Sequence, residues 1–88
     1  MAKFAPTYPP AAQGAGIEGY VIVEYCVDFD GRPMNIRVIE SVPEGLFDEA
    51  SIAATKNFHY LPALDEGVPV ERHGVQNKFT FELEPPVE

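Results

Sequence analysis

Val75, Asn77, Phe79, Phe81 and Leu83 alternate with Gln76, Lys78, Thr80 and Glu82 until Pro85 and Pro86 stop the pattern. A repeat of two sends the two sets to opposite sides of an extended backbone, so this run predicts a half-buried β-strand. The residues that follow it here are too few to cover its free N–H and C=O groups, should it lie at the outside of its sheet. An open edge of that kind accepts a strand from a partner.

Two earlier runs supply neighbours. After Gly19, Val21, Val23, Tyr25 and Val27 alternate with Tyr20, Ile22, Glu24 and Cys26, and beyond Asp28-Phe29-Asp30-Gly31 come Met34, Ile36 and Val38 alternating with Asn35, Arg37 and Ile39. The Asp-Gly pair tolerates positive φ and makes the two runs a hairpin. Past Pro43, the spacing of Phe47, Ala50, Ala54 and Phe58 predicts an amphipathic helix, with acidic Asp48 and Glu49 at its start and Lys56 near its end. Phe58 to Leu61 is short and aromatic, and Asp65-Glu66-Gly67 turns the chain. The terminal strand then begins between Val68 and Gly74, its early part weakened as a paired strand by Pro69. At the other end, Phe4 to Pro10 holds three prolines and reads as extended chain leading into a short helix through Ala11, Ala12 and Gln13.

The expected fold class is α+β: a three-stranded antiparallel sheet in the order two, one, three, with one main helix and a short N-terminal helix on one face. Placing the last strand beside the first makes every neighbouring pair antiparallel and the return connection a crossover. Strands two and three are then edges. Strand two is led by Pro33, reads as short and is interrupted by Pro43, whereas the last strand has about ten residues without a proline and is the better docking edge. Residues 1–7 read as a linker end and expression start, 8–84 as the domain, and 85–88 as a tail.

Composition narrows the function. The 88 residues with 45% hydrophobic content support one core, although a chain this short buries only about 60–65% of its unfolded surface. A net charge of −8, from 14 acidic against 6 basic residues, repels phosphate backbones and anionic headgroups, so neither nucleic acid nor direct membrane contact is expected. No apolar run approaches the roughly 18–20 residues of a span, and the start lacks the plan of a signal peptide. Met1-Ala2-Lys3 looks like an expression start ahead of a fragment, which leaves an anchor or leader open.

Catalytic and metal chemistry find little support. Cys26 is the only cysteine; it excludes an internal disulfide and reads as a small, packed or semi-exposed residue. His59 and His73 stand in no ligand pattern, so no metal and no cofactor are expected. Glu24, Asp28 and Asp30 only loosely resemble a calcium loop, because Gly31 comes too soon and no glutamate closes it. Ser41 and Ser51 lack a partnering histidine or an elbow sequence, and the chain reads as a non-enzyme. Phe47, Phe58, Tyr60, Phe79 and Phe81 read as core.

With these residues in place, the chain resembles the C-terminal domains of the TonB family from Tyr8 to Leu83. The likeness rests on Tyr8-Pro9-Pro10-Ala11-Ala12, Gly16-Ile17-Glu18-Gly19 before an alternating strand, and Asp30-Gly31. It continues with Pro43, Leu46-Phe47, an alanine-rich helix, Phe58-His59-Tyr60-Leu61-Pro62-Ala63 and Phe79-Thr80-Phe81. Thr7 stands where glutamine is common in the family, and Phe58 where tryptophan is common. The resemblance implies a periplasmic domain of an inner-membrane-anchored protein, coupled through its N-terminal helix to an ExbB–ExbD motor. It implies binding of the TonB box of outer-membrane receptors for siderophores, haem or cobalamin, by strand addition that transmits the motor's work. Carried over, the contact residues are Gly74, Val75, Gln76, Asn77, Lys78, Phe79, Thr80 and Phe81, with Pro6, Thr7, Tyr8 and Pro9 near the contact. The alternatives are a TonB-like or TolA-like scaffold with another envelope partner, and a structural module that forms a homodimer through the open strand.

Overall fold

A computed structural model describes residues 5–83. The sequence-based readings of residues 1–3 as an expression start, of Phe4 as the beginning of the extended segment, of residue 84 as the domain's last, and of 85–88 as a tail lie outside the described residues. The elements are α1 (Pro10–Ala15), β1 (Gly19–Val27), β2 (Pro33–Val42), α2 (Asp48–Lys56), β3 (Ala63–Asp65), β4 (Val68–Val70) and β5 (Arg72–Phe81). The main sheet runs β2-β1-β5 and is antiparallel throughout, which is the expected order with β5 as the third strand.

The β1–β2 hairpin closes on Asp28. Its carboxylate Oδ1 accepts the N–H groups of Asp30 and Arg32 at 2.9 and 2.8 Å, and its own N–H donates to the Arg32 carbonyl at 2.9 Å. The loop Phe29-Asp30-Gly31 ends with Gly31 at φ 86°, the left-handed position that closes a three-residue hairpin. Gly31 also meets the segment after α2: its carbonyl accepts the Tyr60 N–H at 2.8 Å, and a Cβ there would stand 1.9 Å from the Tyr60 carbonyl oxygen.

One face of the sheet is the core. Val21, Val23, Tyr25 and Val27 of β1 are buried together with Phe79 and Phe81 of β5, Ala12 of α1, and Phe47, Ala54 and Phe58. Phe47 stacks on Phe81 with centroids 4.2 Å apart, and Phe58 packs against Phe79 and Tyr25. The Tyr25 hydroxyl, bonded to that of Tyr60, is pushed well above the ordinary phenol range, first by burial and then by that bond.

Three details differ from the sequence reading. Met34 shares no face with Ile36 and Val38: between Glu24 and Cys26 the register slips, β2 carries one residue more than β1, and Met34 sits across from Cys26 on the outer side. Asn35, at φ 54°, absorbs the extra residue. Within α2 the fully buried positions are Ser51 and Thr55, whereas Ala50 is half-buried. Their hydroxyls are satisfied inside the helix, each donating at 2.8 Å to the carbonyl four residues earlier, so small polar residues serve as core. Finally, the terminal strand begins at Arg72, within the expected range, but Val68–Val70 is itself a paired strand despite Pro69, folding back on Ala63–Asp65 as a separate ribbon. Glu66 and Gly67, at φ 50° and 82°, make the two-residue turn. Asp65 and Val68 close that turn, so Pro69, one step further along, points its missing N–H away from β3.

Replacing Gly31 with alanine sets a methyl against a backbone oxygen at positive φ. Gly31→Ala is expected to lower unfolding free energy by about 2–3 kcal/mol, measured by urea titration.

Candidate functional site

The site suggested by the terminal strand depends on which backbone groups of β5 face β1 and which face away. Along β1, backbone bonds alternate between its two neighbours. Asp28, just past β1, donates to Arg32 on the β2 side, and Val27 stands across from Pro33, which has no N–H to give. Even-numbered residues of β1 therefore bond β2, and odd-numbered ones bond β5. Their partners on β5 are Val75, Asn77, Phe79 and Phe81. It follows that Gln76, Lys78 and Thr80 direct their N–H and C=O groups outward, to a side where no described strand pairs.

Gln76 and Lys78 lay their side chains back over the sheet. Gln76 donates to the Glu24 carboxylate at 3.1 Å, which also accepts from Arg37 of β2 at 2.8 Å. Lys78 places its Nζ 4.5 Å from the centroid of the Tyr20 ring, and Tyr20 donates to Glu40 at 2.7 Å. Edge lysines commonly deter foreign strands; here the lysine is drawn inward onto β1. Arg37 first, then Gln76, hold the Glu24 carboxyl below the usual glutamate range.

The eight residues Gly74 to Phe81 are thus one continuous stretch of β5 with two different ends. At the start, β5 carries an extra residue between the Tyr25 and Val27 pairings, beside Gly74, so the regular ladder begins at Val75. At the finish, the Leu83 N–H donates to the Glu18 carboxylate at 2.7 Å. The N-terminal candidates divide. Tyr8 packs edge-on against Phe47 and Phe81 at 5.6 and 5.7 Å and its hydroxyl donates to the Ile17 carbonyl, so it reaches the end of β5. Pro6, Thr7 and Pro9 instead line grooves along α2 with Ala50 and Ala53. Sequence reasoning missed Glu18, Tyr20 and Glu24 as supports of the strand, since nothing short of the β1–β5 register pairs them with it.

The family of Gram-negative bacterial TonB protein C-terminal domains matches residues 5–83. This chain belongs to that family. Protein TonB of Pseudomonas aeruginosa is 38% identical over 79 residues, covering 90% of this chain and 23% of the relative. Protein TonB of Vibrio cholerae is 31% identical over 83 residues, covering 94% of this chain and 34% of the relative. The chain therefore spans between 23% and 34% of the length of these two TonB proteins. The solution NMR structure of the Pseudomonas aeruginosa TonB C-terminal domain superimposes with a TM-score of 0.83 at 34% identity, over 99% of this chain and 87% of that one. The TonB2 protein of Vibrio anguillarum gives 0.70 at 28% identity, over 91% and 76%. Among the described residues, no helix is long and apolar enough to cross a membrane.

The Glu24 carboxyl carbon is expected to titrate below the ordinary glutamate value of about 4.3, read by NMR. Because the folded pKa lies below the unfolded one, the stabilisation is present above the unfolded value and fades as pH falls through the folded value. Glu24→Gln should remove that part of the acid dependence.

Proposed function

We propose that this domain is the periplasmic, receptor-contacting part of a TonB-type energy transducer. In this reading it accepts a short extended receptor segment, the TonB box, as a fourth strand along β5. The observation that carries it is the outward direction of the Gln76, Lys78 and Thr80 backbone groups on the unpaired side of the sheet. An added strand satisfies those groups by main-chain bonds, which ask little of the partner's side chains. Membership of the family supports the assignment. The proposal extends to an inner-membrane anchor and an ExbB–ExbD motor elsewhere in the full-length protein, driving uptake of siderophores, haem or cobalamin.

One strand buries well under the ~1,200 Å² of a standard interface, so affinity is expected near the micromolar range. A pull along the paired strands loads all the ladder bonds together rather than one after another. Modest equilibrium affinity is then compatible with transmitting force.

The test is titration of receptor-derived TonB-box peptides, followed by amide chemical shifts. Replacing Lys78 with proline, or its amide with an ester, removes an outward donor and is expected to weaken binding about tenfold while the domain stays folded. Asn77→Pro attacks the ladder to β1 and is expected to destabilise the sheet instead. Truncating the Gln76 or Lys78 side chain to alanine should cost less than the backbone change. Equal binding by the wild type and the Lys78 variants would sink the site.

A further inference from the structure

The outer face of the sheet, opposite α2, carries a second cluster that strand docking does not use. Cys26 of β1 is a half-exposed free thiol, with its Sγ 3.2 Å from the Nδ1 of His73 on β5. On the other side of β1, Met34 of β2 stands directly across from Cys26 and is 44% exposed. Facing residues of an antiparallel pair point to the same side with Cβ atoms about 4.5–5.5 Å apart, within the span of a methionine side chain. The thiol and the imidazole are in contact, and register sets Met34 beside Cys26 on the same face, so three adjacent strands each supply one soft or borderline donor. Two of the three register shifts in the sheet contribute: the one at Asn35 turns Met34 outward, and the one beside Gly74 lies next to His73. The open pocket beside the Cys26–His73 pair is lined also by Asn35, Gly74, Glu24 and Arg37, the Arg37 guanidinium being neutralised by Glu24 at 2.8 Å.

The donor set selects the cation. Among the described residues, no three His, Cys, Asp or Glu side chains converge, so a zinc-type ion that wants four such ligands finds no cage. A soft, closed-shell monovalent cation accepts few ligands and favours sulfur. We propose that Cys26, His73 and Met34 form a binding site for a soft monovalent cation of the copper(I) class. On binding, the sulfur–metal bond forms as the thiol proton leaves to solvent, and the metal enters and stays at +1. Bonds of about 2.0 Å to nitrogen and about 2.3 Å to sulfur need a sulfur–nitrogen separation of about 3.7 Å for a trigonal arrangement. That exceeds the present 3.2 Å by a shift that side-chain rotation supplies.

The test uses the 88-residue chain with silver(I) as a redox-inert probe and anaerobic copper(I) under competition from bicinchoninate. One cation per chain is expected, with shifts at the Cys26 Cβ, the His73 ring and the Met34 methyl group. Cys26→Ser is expected to weaken binding by about a hundredfold or more, His73→Ala by about tenfold and Met34→Leu by about threefold to tenfold. These residues are wholly or partly exposed, so amide spectra should show each variant folded, and Cys26→Ala repeats the key measurement if serine perturbs the strand. Unchanged affinity in both the His73 and Met34 variants would reduce the site to an ordinary thiol and overturn the proposal. Retained binding without the Cys26 sulfur would overturn it too.

Discussion

The alternation of backbone bonds along β1 is the constraint from which the rest of the domain follows. Side-chain direction and bond direction share the same period of two. On β5, the residues that bond β1 are therefore also those that face the core, Val75, Asn77, Phe79 and Phe81, while Gln76, Lys78 and Thr80 face the outer side and turn their amides outward. Core packing and the proposed docking edge are thereby assigned to different residues of one strand. Chemistry at the edge can vary without disturbing Phe79 or Phe81.

The aromatic core distributes cover unevenly over the sheet. Helix α2 lies over β2 and β1, which leaves the β5 side to other groups. There Tyr8 seals the gap, its ring set edge-on to both Phe47 and Phe81 and its hydroxyl held by the Ile17 carbonyl just past α1. The extended segment before α1 thus completes the core next to the strand proposed to meet the receptor. Edge-to-face rings of this kind contribute about 0.5–1.5 kcal/mol beyond their buried area.

The strands of the main sheet were legible because each carries an alternation over most of its length, and their order followed from the crossover between β2 and the last strand. What was not legible is whatever depends on one extra residue. Met34 reads as a core partner of Ile36 and Val38 until Asn35 takes up a left-handed φ, and the only local hint is that asparagine tolerates that conformation better than most residues. Pro69 counted against a paired strand, yet a two-residue turn places it where an N–H has no work to do. Ser51 and Thr55 were overlooked for a related reason: polarity argues for exposure unless the hydroxyl closes on its own helix, as both do. Of the proposed site, the stretch itself was visible, whereas the supports at Tyr20 and Glu24 become visible only through register.

The two ends of the β5 ladder set a gauge. Its regular part opens after the irregularity beside Gly74, and the chain beyond it is tied down where Glu18 takes the Leu83 amide. A guest laid along this rail would meet evenly spaced rungs at Gln76, Lys78 and Thr80, each two residues from the next. The host thereby sets the pitch of a serviceable handle, whatever side chains that handle carries.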